Sequence, residues 1–156
     1  MNIYREFTLL IQALNTADVP YAVCGGLAMA VHGYPRATKD IDLLIHPDDL
    51  PRIEVLVKQA GFDVPGGTLT FKHGTPEETR VVRFSKFEET EYLTLDLLLV
   101  TAVFESVWAS RQKAVLSEMD FQVVSRDGLV KMKTLAGRTQ DKADLEKLAE
   151  VGETPP

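Results

Sequence analysis

Near the start of the chain apolar residues recur at helical spacing. Phe7, Leu10, Ile11 and Leu14 fall at i, i+3, i+4 and i+7, which predicts an amphipathic helix from about Asn2 to Thr16. Asp18-Val19-Pro20 breaks it, and Tyr21 to Cys24 then predicts a short buried strand closed by Gly25-Gly26. Small and aliphatic residues from Leu27 to about Tyr34 predict a closely packed helix, stopped by Gly33 and Pro35. From Asp40 to Ile45 the period changes to two. Asp40 and Asp42 share one face of the predicted strand, and Ile41, Leu43 and Ile45 share the other.

Pro47-Asp48-Asp49 predicts a turn and helix start, with Ile53, Leu56, Val57 and Ala60 as the apolar stripe and Gly61 as the stop. Three short strands are expected next, Phe62 to Val64, Leu69 to Lys72 and Thr79 to Phe84, separated by Pro65-Gly66-Gly67 and the polar turn His73 to Glu78. An antiparallel hairpin is expected among them. Tyr92 to Val100 is the most apolar run, and its only charged residue, Asp96, stands between Leu95 and Leu97. Thr101 is expected to cap a helix through Trp108, Val115 and Phe121 to Val124 to form a strand pair, and Ser125 to precede a helix ending at Gly137. Asp141 then caps a last helix bearing Leu145, Leu148 and Val151. This organisation predicts a single domain over 1–151 and a flexible C-terminal tail over 152–156.

Composition narrows the function classes. The 156 residues are 45% hydrophobic and 26% charged, with no apolar run of membrane-spanning length and no signal-peptide pattern, so a cytoplasmic protein without a membrane partner is expected. The single cysteine, Cys24, rules out an internal disulfide and a cysteine-cluster zinc site. A net charge of −6 argues against broad binding to polyanions.

Asp96 is the residue that changes the picture. A carboxylate within an apolar strand costs several kcal/mol unless it is paired, hydrogen-bonded or bound to a cation. If its strand pairs beside that of Asp40 and Asp42 with the acidic faces aligned, three anionic donors converge. Hard oxygen ligands suit Mg²⁺ or Mn²⁺, and two such ions about 4 Å apart activate a hydroxyl and stabilise a departing phosphate oxygen. Gly25 and Gly26 supply the other half, since residues without a Cβ let a triphosphate approach the amides at a helix start. Together these parts describe a nucleoside triphosphate attacked at its α-phosphate, with pyrophosphate leaving. Each has a plainer reading: a glycine pair is usually a turn, and Asp-x-Asp is equally often a solvated strand face. Arg80, Arg83 and Lys86 either line an anion-binding rim or mark a solvated hairpin face, while His32, Tyr92, Trp108 and Phe121 read as packing residues.

The ordered set of Gly25-Gly26, thirteen intervening residues, Asp40-Ile41-Asp42, and Asp96 between leucines resembles the polymerase-β-like nucleotidyltransferase superfamily. The run Leu129, Lys133, Ala136, Arg138, Asp141, Lys142, Asp144, Leu145 and Leu148 further resembles the small bacterial nucleotidyltransferase-like proteins related to AbiEii-type toxins. The resemblance implies an α/β (α+β) fold, a small mixed β-sheet flanked by helices with further helices at the C-terminal end. It implies that Asp40 and Asp42 hold both metals, that Asp96 completes the acceptor-side metal, and that Gly25 and Gly26 face the triphosphate. Lys133 would reach toward phosphate, and Asp141 sits where related toxins carry a functional acid. Arg36, in the approach Arg36-Ala37-Thr38-Lys39-Asp40, either contacts phosphate or braces an aspartate. Lys133, Arg138, Asp141 and Asp144 read equally well as a surface salt-bridge array. The implied function is metal-dependent transfer of a nucleoside monophosphate to a hydroxyl on RNA such as tRNA, a protein or a small molecule. The alternative is a non-catalytic nucleotide- or partner-binding module, one half of a toxin and antitoxin pair.

Overall fold

The computed structural model describes residues 1–153, with the side chains of 151–153 left aside. Its element order is α1 (Ile3–Thr16), β1 (Ala22–Cys24), α2 (Gly25–Val31), β2 (Asp40–Ile45), α3 (Leu50–Gln59), β3 (Val64–Phe71), β4 (Thr79–Glu88), β5 (Glu91–Leu99), α4 (Glu105–Ala109), β6 (Gln112–Leu116), β7 (Met119–Val123), α5 (Arg126–Ala136) and α6 (Thr139–Glu153). Short 3₁₀ turns precede α3 and α4. α6 carries the backbone of Gly152 and Glu153, and the remainder of the expected tail, 154–156, lies outside the described residues.

The strands form one seven-stranded mixed sheet in the order β3-β4-β5-β2-β1-β7-β6. β2 runs parallel to β5 and β1 parallel to β7, whereas the other neighbours are antiparallel. The fold is therefore the expected mixed α/β arrangement. Parity along the strands separates two chemistries, because alternate side chains point to opposite faces. Ile41, Leu43, Ile45, Leu95, Leu97, Val82 and Phe84 are buried in the same core as Phe7, Leu10, Ile11 and Leu14 of α1 and Ile53 and Val57 of α3. The acids occupy the other parity.

The hydrophobic pattern placed most boundaries to within a few residues. Asn2 caps α1 by accepting from the amides of Tyr4 and Arg5, and Ser125 caps α5 by accepting from Gly128 at 3.0 Å. Three expectations need correction. Phe62 to Val64 and Leu69 to Lys72 are not separate strands: β3 runs through Pro65-Gly66-Gly67 as a bulge, which an edge strand tolerates because proline's missing donor faces no partner. Thr101 makes no cap, since its hydroxyl donates instead to the Glu78 carbonyl at 2.6 Å. Tyr92 fills no core. It is 64% exposed and stacks on Phe87 with ring centroids 5.7 Å apart, whereas Phe121 is buried edge-on against Phe7.

Candidate active site

The three acids meet because two distant segments pair in parallel. In the β2–β5 register Asp40 lies opposite Thr94 and Asp42 opposite Asp96, so all three carboxylates leave the sheet on one face. β1 adds the turn. Cys24 is Asp42's partner on the other side, and the chain passes from it directly into α2 at Gly25. Gly25 has φ +64°, a left-handed conformation that favours glycine, and a Cβ there would collide with the Asp42 carboxylate. The glycine and the acid are thus in van der Waals contact. At Gly26 a Cβ would lie 2.8 Å from Thr38 Oγ1 and 3.2 Å from Arg36 Nη1, so the segment leading to Asp40 folds over the second glycine.

The charge at this point is incompletely balanced. Burial first, then the charges of Asp96 and Asp40, push the Asp42 carboxyl up to about 7, against the opposing pull of Lys133 and Arg138. Asp40 is raised as well, by burial and by Asp96. Asp96 is met by a cation. On the adjacent β4 Arg83 stands in register with it and donates from Nε to Oδ1 at 2.8 Å and from an Nη to Oδ2 at 2.9 Å. This two-pronged pair is the strong form of a charge-assisted hydrogen bond, and the Arg83 guanidinium is held above its usual range by it.

The donor chemistry suits Mg²⁺ or Mn²⁺: three carboxylates on neighbouring strands, two of them pushed up by burial and by their neighbours' charge. As the side chains stand, no three His, Cys, Asp or Glu residues among the described ones group closely enough to hold a metal ion. Both oxygens of Asp96 face the Arg83 fork instead.

A second charge cluster braces the turn from behind. Asp144 accepts from Arg36 Nε at 2.9 Å and Nη2 at 2.8 Å, from Lys133 Nζ at 2.7 Å and from Gln140 at 2.9 Å. Asp141 lies 3.5 Å from the same Lys133 Nζ and accepts from Arg138 Nε at 2.7 Å and the Arg138 amide at 3.1 Å. Lys133, Asp141 and Asp144 are only 4%, 1% and 1% exposed, which replaces the surface array with a buried network. Asp141 is in the first turn of α6, bonding back to the amide before it, as a capping box does. Burial opposes ionisation of both acids, but hydrogen bonds from Arg138 to Asp141, and from Arg36 and Lys133 to Asp144, hold both carboxyls below their ordinary value. Arg36 therefore braces an aspartate, and that aspartate is Asp144. His32 takes a packing place, with Nε2 2.8 Å from the Val124 carbonyl.

Sequence reasoning named Arg83 and Asp144 but missed their partners, Asp96 for the first and Arg36 for the second. Arg83's role follows from register alone, since the hairpin closing at Glu89-Thr90 sets it opposite Asp96. Glu89 adopts a left-handed φ of 59° with none of the Asn-Gly chemistry that ordinarily signals such a turn.

No family model matches the chain, and no curated protein matches its sequence. Solved structures match its shape. TM1012 from Thermotoga maritima, assigned as a nucleotidyltransferase, superposes with a TM-score of 0.64 at 14% identity, over 95% of this chain and 92% of that one. The lincosamide antibiotic adenylyltransferase LnuA, with lincomycin bound, gives 0.61 at 13% identity over 94% and 96%. ANT(2″)-Ia in complex with adenylyl-2″-tobramycin gives 0.57 at 15% identity over 93% and 91%. Among the described residues no helix is long and apolar enough to cross a membrane. Over nearly its whole length the chain has the fold of these nucleotidyltransferases.

Proposed function

We propose that the protein is a metal-dependent nucleotidyltransferase that moves a nucleoside monophosphate from a triphosphate to an acceptor hydroxyl. One observation carries the reading: the in-register parallel pairing of Asp42 with Asp96, which puts three acids on one face of the sheet with Asp42 against the Gly25 turn. In this reading Asp40 and Asp42 hold two Mg²⁺ or Mn²⁺ ions, and Asp96 completes the acceptor-side position. The ions supply charge neutralisation for the phosphates and a more acidic acceptor hydroxyl. Gly25 and Gly26 let the triphosphate lie along the backbone, and Arg36 and Lys133 add positive potential behind that turn while their hydrogen bonds stay with Asp144. Asp141 fixes Lys133 and the start of α6 rather than touching the nucleotide. The acceptor oxygen forms a bond to the α-phosphorus, the bond to the bridging oxygen breaks, pyrophosphate leaves, and Asp96 takes the hydroxyl proton.

The acceptor belongs to one of three hydroxyl classes: an RNA such as tRNA, a protein side chain, or a small molecule of the kind seen with LnuA and ANT(2″)-Ia. A relationship to AbiEii-type toxins, an antitoxin partner and a cytoplasmic site of action belong to the same proposal. Incubation with each α-labelled triphosphate, Mg²⁺ or Mn²⁺ and a panel of acceptors transfers label from the wild type and none from Asp42→Ala. Labelling that persists in the variant sinks the reading. The tie between Arg83 and Asp96 favours a second reading, a binding module with a silent site. That reading gains if triphosphates bind in calorimetry while no acceptor is ever labelled.

A further inference from the structure

Asp96 is asked to do two things in the proposed reaction, to hold a cation and to take a proton, and its two oxygens are both engaged by Arg83. The pair is built rather than incidental. Arg83 and Asp96 are directly opposed in the β4–β5 ladder, and the bulge in β3 puts Gly66 under the arginine stem, where a Cβ would come within 2.8 Å of Arg83 Cγ. The arginine is also free to leave: its side chain is 42% exposed against 12% for Asp96, so rotation outward breaks little packing.

Sheet order says what the freed fork would meet. The glycine turn follows β1, on one side of the acids, and Arg83 is on β4, on the other. Three strand spacings separate them, about 14 Å at ~4.8 Å each. A triphosphate lying along Gly25 and Gly26 is thus on the far side of the acids from Arg83, and the group nearest the guanidinium is the acceptor. On this face of the sheet Arg83 has for neighbours Leu69, Val81, Ser85, Thr94 and Leu98, with Asp40, opposite Thr94 on β2, as a further acid whose charge it feels. With Asp40 and Asp42 engaged by the proposed metals, the released guanidinium needs another anion.

Resting on the nucleotidyltransferase reading, we propose that Arg83 gates Asp96 and selects the acceptor: it withholds the third acid until a phosphate or carboxylate borne by the acceptor takes over its fork. The metal at Asp96 and an anionic acceptor then bind cooperatively, whereas a polycationic acceptor cannot open the gate.

The test is Mn²⁺ affinity by titration calorimetry of the full chain, in the wild type and Arg83→Gln, with ribose 5-phosphate or ribose as the probe. Arg83→Gln is expected to bind Mn²⁺ roughly tenfold more tightly than the wild type without any probe, the equivalent of one charge-assisted contact released. Ribose 5-phosphate is expected to tighten Mn²⁺ binding in the wild type and to leave the variant unchanged, and ribose to change neither. Arg83→Lys, which keeps the charge but loses the fork, provides a second variant of intermediate affinity should Arg83→Gln fold poorly. Equal Mn²⁺ affinity in wild type and variants, with ATP still bound, overturns the gate alone. A ribose 5-phosphate effect that survives in Arg83→Gln overturns the selection. Mn²⁺ and ATP binding by none of the proteins overturns the gate together with the reading beneath it.

Discussion

Asp42 stands between two other acids with its carboxylate against the Gly25 backbone, so its ionisation is opposed by burial and by like charge together. Its folded value of about 7 is above the ordinary carboxyl value, which fixes the sign of its linkage to stability. The folded state keeps the Asp42 proton over a range where the unfolded chain has lost it. The contribution is complete below about pH 4 and is lost as pH rises through about 7. A shift of three units corresponds to roughly 4 kcal/mol, and partial solvent access at Asp42 reduces this to about 1–3 kcal/mol. Asp42→Asn is therefore expected to unfold at higher denaturant than the wild type at pH 8 and at nearly the same concentration at pH 4, followed by urea titration at both. Equal stabilities at pH 8 would mean the acid cluster carries no strain. Gly25 offers a complementary case. Gly25→Ala combines a positive φ with a collision against Asp42, so a loss of about 1–3 kcal/mol is expected in the same titration. Both residues were legible as candidates, because a glycine pair and an Asp-x-Asp are local patterns. Their direct contact was not, since it depends on the antiparallel pairing of β1 with β2.

At the scale of elements, α5 and α6 meet through charge as much as through Leu129 and Leu148. Lys133 projects from α5 into two acids of α6, and Arg36 reaches Asp144 from the segment before β2. The buried network therefore ties the C-terminal helices to the turn that carries the acids. Removing its central cation leaves buried carboxylates under-compensated, which typically costs about 3–5 kcal/mol, whereas an exposed array would lose about 0–1. Lys133→Met is expected to show the larger loss in urea unfolding, and a loss within the surface range would place the network in solvent. The spacing of Lys133, Arg138, Asp141 and Asp144 was readable in the sequence, but its burial was not. Periodicity reports which residues share a helix face, whereas Lys133, Asp141 and Asp144 are buried, with Arg36 reaching Asp144 from another part of the chain and Arg138 left exposed. The β3 to β5 region was misread for a related reason: Pro65-Gly66-Gly67 is ordinary punctuation in isolation and becomes a bulge only because β4 continues the ladder beside it.

For the whole molecule, the core and the site divide along the sheet. Phe7, Leu10, Ile11, Ile53 and Val57 supply the apolar partners of one face, so the fold needs no cation to form, and the acids of the other face are left with unbalanced charge. The elements were legible from alternating periods and glycine punctuation and the mixed sheet from the family resemblance, whereas the joining of Asp96 to Asp40 and Asp42 rests on a parallel pairing between segments more than fifty residues apart, which no local pattern encodes. That division predicts how metal and nucleotide act on stability. Chelation by EDTA is expected to leave circular dichroism and the melting temperature unchanged, since nothing in the core depends on the ion. On the proposed function Mg²⁺ with ATP binds only the folded state and is expected to stabilise it by about 2.7 kcal/mol at a hundredfold excess over Kd. For a chain of this length that raises the melting temperature by roughly 5–10 °C. In Asp42→Ala the rise is expected to disappear while the protein still melts cooperatively, because the substitution removes a proposed metal ligand and relieves repulsion without touching the apolar face. A full Mg²⁺ and ATP shift in that variant would place the nucleotide somewhere other than the cleft between the glycine turn and the three acids.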